Sequence, residues 1–292
     1  MKKLFLFAML MCCAFTMYAQ IHLNLFGGVA NYKGDLQYNS SKGKQFTLKQ
    51  PKIAAGIGIE YEISDKFAFR LAFTTGKIHA DDKKQPGQNQ RNLNFTSNIF
   101  DVMLGVQYYI TNPYEHLINP YIFAGVAFFH FNPYTYDTTG NKFFLQPLST
   151  EGQGFVPGRD PYKLSQLSLP FGGGIKFSLN ENFRIGIELS LRKTFTDYLD
   201  DVSSTYVDEY LLLTNRGPKA VELAYRGNEL KNGGPYPPAG TQRGTAVRND
   251  WYYFTGITLS YRLGDGGGGS GGTGGGKGFG KKSKLGCPAT VR

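Results

Sequence analysis

From Gln20 to Leu263 the chain alternates apolar and polar residues in eight blocks joined by alternately short and long connections. Period-two alternation gives a strand one apolar and one polar face. Strands are predicted near 21–30, 52–63, 67–78, 95–110, 121–131, 166–179, 183–193 and 250–263. From Phe67, the odd positions are Phe67, Phe69, Leu71 and Phe73, with Ala68, Arg70, Ala72 and Thr74 between them. From Phe183, the odd positions run Phe183, Ile185, Ile187, Leu189 and Leu191, against Arg184, Gly186, Glu188, Ser190 and Arg192. Ile53–Ile63 and Ile257–Leu263 repeat the pattern. The block at 121–131 is aromatic on both faces, so its orientation is left open.

Two barrels use such strands. A soluble binding barrel turns the apolar face inward, and a membrane barrel turns it toward lipid. The polar face decides between them. It carries small residues together with Glu60, Glu62, Arg70, Asp101, Lys176, Arg184, Glu188, Arg192 and Arg262. Mixed-sign charges among glycines suit a narrow lumen, and eight strands leave room for little more than side chains. The expected fold is therefore all-β: an eight-stranded antiparallel transmembrane β-barrel, up-and-down, with a side-chain-filled lumen and long extracellular loops.

The connections agree. Short links fall at 64–66, 112–120 and 180–182, and long ones near 37–51, 79–94, 132–165 and 194–249. Membrane barrels of this kind have short periplasmic turns and long outer loops, which places both termini in the periplasm. Pro133, Pro147, Pro157 and Pro161 argue against regular structure in the third long loop.

The ends read differently. Lys2 and Lys3 precede an apolar run from Leu4 to Met17, and Ala19 supplies a small residue at a cut site, so residues 1–19 are expected to be a signal peptide. The run is too short for a membrane-spanning helix. The barrel domain is then 20–263. Residues 264–292 form a glycine-rich basic tail holding Lys277, Lys281, Lys282, Lys284 and Arg292. Cys12 and Cys13 leave with the signal, so Cys287 is the one cysteine of the mature chain. It is either free or paired to another chain. The net charge of +10 would suit nucleic acid in a cytoplasmic protein. In an exported chain it suits an anionic membrane or an acidic partner.

Chemistry is sparse. The stretch from Gly271 to Lys277 superficially matches a phosphate-binding loop, but Gly278 stands where the magnesium-ligating hydroxyl belongs. No nucleotide, cofactor or catalytic residue is expected. His22, His79, His116 and His130 have no metal-ligand spacing. Asp197, Asp200, Asp201 and Asp208 are the carboxylates a calcium ion would take, yet they lack the glycine and regular spacing of a calcium loop. Solvated loop charge is the plainer reading for them, as it is for Asp81 and Asp82 beside His79.

Two segments carry a family resemblance. One is Asn31-Tyr32-Lys33-Gly34-Asp35-Leu36, and the other Thr196-Asp197-Tyr198-Leu199-Asp200-Asp201. With the basic tail ending Gly286-Cys287-Pro288, they resemble the PorG-like outer-membrane proteins of the type IX secretion system. That resemblance implies a non-enzymatic barrel anchored among outer-membrane lipids. Its implied partners are the periplasmic ring proteins of the PorK and PorN type, and Cys287 would be the candidate for an intermolecular disulfide. The alternative is a surface barrel whose outer loops bind a ligand or host factor.

Overall fold

The computed structural model describes residues 20–37, 50–84, 91–180 and 182–263. The expected signal peptide and the tail with Cys287 lie outside the described residues. Among the described residues nine strands form: β1 (Gln20–Lys33), β2 (Lys52–Glu62), β3 (Phe67–Asp81), β4 (Asn94–Tyr109), β5 (Ile118–Tyr136), β6 (Lys142–Phe144), β7 (Ser165–Ser178), β8 (Phe183–Thr194) and β9 (Trp251–Leu263). All strands except the short β6 close into an eight-stranded antiparallel barrel, in which β9 pairs back onto β1 and β5 pairs with β7.

The pairing fixes the stagger. A path following directly paired residues leaves Ile21 and passes Tyr61, Phe69, Val106, Ala124, Phe171, Leu191 and Tyr253. It returns to β1 at Asn31, ten residues further along the strand. A stagger of this size inclines the strands by roughly 35–45° to the barrel axis.

Side chains alternate as the sequence requires, with the apolar set outside. Phe67, Phe69, Leu71 and Phe73 are exposed, whereas Ala68, Arg70, Ala72 and Thr74 are buried. The same holds for Ile185, Ile187 and Leu189 against Arg184, Glu188 and Ser190. β5 resolves the orientation left open: Tyr121, Phe123, Phe129 and Phe131 point inward, and Ile122, Val126 and Phe128 outward.

The short turns follow from local hydrogen bonding. Ser64 Oγ accepts from the Phe67 amide at 3.2 Å, and Asn180 Oδ1 accepts from the Asn182 and Phe183 amides, both at 2.8 Å. Each side chain mimics a backbone turn. Gln20 pairs with Glu62 and Ile21 with Leu263, so both ends of the barrel domain lie on the rim that carries these short turns.

The opposite rim is capped by ordered structure. This differs from expectation for 132–165. β5 runs through Pro133 to Tyr136 and returns as β6; the Pro133 carbonyl accepts from the Leu145 amide at 2.9 Å. Pro147 sits in the first turn of a short 3₁₀ segment (Gln146–Leu148), where a missing N–H costs little. The last loop holds α1 (Glu209–Arg216) and α2 (Pro218–Ala224). Asp208 caps α1 by accepting from the Leu211 amide, and Leu212, Ala220, Leu223 and Ala224 are buried beneath the pair.

Candidate functional site

Two layers fill the molecule from wall to mouth. The first is a set of ion pairs across the lumen. Lys176 Nζ of β7 donates to both oxygens of Glu60 on β2, at 2.6 and 2.8 Å. Arg70 of β3 grips Glu188 of β8 through both terminal nitrogens, at 2.7 and 2.8 Å. Arg184 donates to Glu62 at 2.5 Å, and Arg192 donates to Asp101 at 3.1 Å. Tyrosine hydroxyls complete the shells: Tyr121 donates to Glu188 (2.7 Å), Tyr252 to Asp101 (2.8 Å) and Tyr109 to Glu60 (3.2 Å). Tyr114 donates to Glu62, and His22 Nε2 lies 3.5 Å from the same carboxylate.

The sequence places these residues on one face, and the structure supplies their partners. Eight of the nine expected lumen charges join these four cross-lumen pairs. Arg262 is half-buried near the turn-side rim and enters none of them. Burying an ion costs several kcal/mol, which is offset only where the pairing and remaining hydrogen bonds are complete. Here they nearly are. A cavity among these groups, bordered by Glu60, Arg70, Thr74, Lys176, Glu188 and Arg192, is about 20 Å³, room for about one water.

The second layer is a knot of carboxylates under the cap. Its pieces come from both motif segments. Tyr32 donates to Asp200 Oδ2 at 2.5 Å and lies 3.3 Å from Asp250 Oδ1. The Leu36 amide donates to Asp200 at 3.1 Å, and the Leu199 amide to Asp250 at 2.9 Å. Asp35 accepts from the Thr245 amide at 2.6 Å. Gly34 is needed here: a Cβ at that position would fall 1.9 Å from the Tyr32 hydroxyl and 1.8 Å from Asp250. Beside this knot, Asp201 accepts from Thr150 (2.5 Å) and Tyr162 (2.8 Å). Glu151 accepts from the Ser203 and Ser204 amides and from Arg243.

Crowded burial raises these acids. Burial, then the neighbouring Asp200, pushes Asp197 up to about 9, and its Oδ2 has no hydrogen-bond partner. Burial, then Asp35, pushes Asp200 up to about 8. Asp250 is raised by burial and by Asp200, Asp197 and Asp35. Asp201 reaches only about 6, because Arg243 beside it opposes the burial.

Of the residues expected from the two motifs, Tyr32, Gly34, Asp35, Leu36, Asp197 and Asp200 meet in this knot. Tyr198 stacks on Tyr162 with centroids 4.8 Å apart and donates to Glu151 at 3.3 Å. The Thr196 carbonyl accepts from the Asp250 amide at 2.8 Å. Asn31 stands apart, buried, with its side-chain oxygen and nitrogen making no hydrogen bond. The reading of solvated loop charge is corrected: Asp197, Asp200 and Asp201 are buried, and so is Asp82, which Arg91 grips at 3.0 and 3.1 Å. As for calcium, Asp208 is spent on capping α1, and no group of three or more His, Cys, Asp or Glu among the described residues is arranged to hold a metal ion. Glu151, Arg243, Asp250 and Tyr162 were not singled out by the sequence. None of them belongs to a motif, and only the folded cap brings them together.

An eight-stranded antiparallel barrel with an apolar exterior and an ion-paired interior is a membrane β-barrel. The chain belongs to the family described as domain of unknown function DUF6089, whose profile matches residues 2–215. No curated protein matches it. Among solved structures it is similar to neisserial surface protein A, at 10% identity and a TM-score of 0.41, covering 84% of this chain and 99% of that one. It is also similar to the attachment invasion locus protein Ail of Yersinia pestis in complex with a heparin analogue (10%, TM-score 0.41, 85% and 100% covered). A third is the outer membrane protein OprG of Pseudomonas aeruginosa (12%, TM-score 0.38, 82% and 95% covered).

Proposed function

We propose that this protein is a non-enzymatic, non-conducting barrel of the outer membrane that serves type IX protein secretion as an anchor. The observation that carries the mechanical part is the closed lumen. Among the described residues, four buried ion pairs and an ordered cap fill the lumen and its mouth, which supports a contribution of position rather than transport. The secretion assignment rests on the resemblance of the two motif segments and the tail to PorG-like proteins. In this reading the short-turn rim faces the periplasm. The barrel's N-terminal and C-terminal strand ends share that rim, so the tail from Gly264 leaves on the side where a ring of PorK and PorN type would stand. Cys287 then links covalently to a ring component or its neighbour.

The test uses outer membranes of the native host, run with and without reductant and probed for this chain. A reductant-sensitive band containing a ring protein, lost in Cys287→Ser, is the expected result. A monomer in both lanes, with no ring protein recovered after gentle extraction, overturns the secretion assignment. The ordered cap over 132–165 and 194–249 favours one second reading, a surface barrel whose outer face binds a ligand. Deleting 209–240 would abolish binding in that case and leave an anchor working.

A further inference from the structure

Among the described residues, three side chains on the inward faces of the barrel strands are buried without a hydrogen bond. Neither ring nitrogen of His22 is bonded, and its Nε2 stands 3.5 Å from Glu62. Both amide atoms of Gln107 are unpartnered within the protein, and so is Thr258 Oγ1. All three fall in the part of their strand nearer the short turns: His22 close to the start of β1, Gln107 close to the end of β4, and Thr258 just past the middle of β9. Thr258 also borders the cavity of about 20 Å³ beside Glu60, Arg70 and Arg192. A polar cavity of that size holds a water molecule when two or more of its walls can hydrogen-bond. A buried polar group without a protein partner is the usual mark of such a water.

The two ends of the lumen are closed in different ways. Toward the cap it is filled by rings. Phe26 packs on Phe254 (6.3 Å), Phe254 on Tyr252 (5.7 Å), Tyr252 on Phe129 (5.2 Å) and Phe129 on Phe131 (5.7 Å). Leu199, Val202 and Leu223 of the last loop join the same cluster. Its apolar surfaces offer water no hydrogen bond. Toward the short turns the closure is a single half-buried side chain, Tyr114, on the link after β4. Its hydroxyl meets Glu62 and the Gln20 side-chain oxygen, and its ring lies 5.1 Å from the Arg184 guanidinium. The link is pinned: the Tyr114 amide donates to Asn112 Oδ1 at 3.0 Å, and Ser178 Oγ donates to the Pro113 carbonyl at 3.1 Å. One side chain at a solvent-facing mouth changes rotamer far faster than a packed cluster opens.

We propose that the short-turn half of the lumen binds internal water, anchored on Thr258, His22 and Gln107, and that this water exchanges past Tyr114. The lumen is then a blind vestibule, hydrated from the short-turn side and dry beneath the cap. The inference needs the closed barrel and is independent of the secretion assignment.

The test uses the full chain, isotope-labelled and folded into bilayers, with proton transfer from water followed by solid-state NMR. The Gln107 side-chain amide, the His22 ring and the Thr258 methyl are expected to receive water polarisation about three-fold faster than Phe95 and Ala30, which are equally buried in the ring cluster. Tyr114→Ala should speed deuterium exchange of the Gln107 side-chain amide by about ten-fold, the factor set by losing one charge-assisted hydrogen bond. Tyr114→Phe, which keeps the ring, should give a smaller rise in the same direction. Leu223→Ala, which thins the cluster on the capped side, should leave that rate within about two-fold. Thr258→Val should abolish transfer at the cavity alone. Transfer to Gln107, His22 and Thr258 as slow as to Phe95 overturns the proposal, and so does exchange that answers to Leu223→Ala and not to either Tyr114 variant. Gel mobility before and after heating confirms that each variant is folded.

Discussion

At the scale of single residues, the lumen pairs are the most demanding feature of the molecule. Lys176 and Glu60 are almost wholly buried and satisfy each other through two hydrogen bonds. Removing one partner leaves an uncompensated charge, and that is where the cost lies. Lys176→Met is expected to destabilise the folded barrel by about 3–5 kcal/mol, read as a shift in the urea midpoint of the lipid-reconstituted protein. Exchanging both partners for apolar residues should recover most of the loss. A Lys176→Met midpoint equal to wild type would contradict the pairing. The carboxylate knot makes a different prediction. Asp197 and Asp200 titrate at about 9 and about 8 in the folded cap, against about 4 in an open chain. The closed cap therefore holds more protons than the open one between those limits. Its stability is full below about pH 4 and is lost as pH rises toward 8 to 9. Amide exchange across 194–249 should quicken over that interval, after correction for the intrinsic rate, and Asp197→Asn with Asp200→Asn should flatten the dependence. Exchange that slows with rising pH would show that the acids are ionised and paired.

At the scale of elements, the strands and their faces were legible because the period of a strand is two and every block but one obeys it. β5 was the exception: aromatics occupy both faces, since the inward ones fill the lumen and the outward ones meet lipid. The charged face was legible as a face, but the partners were not. Pairing Glu60 with Lys176 needs the stagger of the closed barrel, which no local pattern contains. The third long loop was misread for a related reason. Proline at 133 and 147 signals irregular chain, yet one sits where a strand's carbonyl alone is needed and the other where a helical turn tolerates it. The start of α1 had a signal in Asp208 and Glu209, and Pro218 marked α2. The two motif segments were visible as motifs, while their meeting through Tyr32, Gly34 and Asp200 spans the whole chain. Gly34 tests that meeting. Gly34→Ala should cost the closed cap about 1–3 kcal/mol by breaking hydrogen bonds to buried carboxylates. Amide exchange at Leu36 and Leu199 should rise while that of β3 and β4 stays as it was. Uniform change, or none, would place Gly34 outside the knot.

At the scale of the whole molecule, one principle connects the layers. The barrel wall is mostly apolar outside, so the charges on the strands' inner faces pair across the lumen, and several carboxylates of the cap meet one another or Arg243. A lumen so filled is what the proposed anchor requires. Among the described residues, the short-turn rim and the outer face of the cap are what remain for partners. The claim on which the rest depends is closure, and conductance tests it most directly. The folded full-length protein in planar bilayers should show no stepwise current at moderate voltage. A variant with Arg70→Ala, Glu188→Ala and residues 209–240 deleted should show steps. Stable steps of fixed size from the unaltered protein would contradict the account.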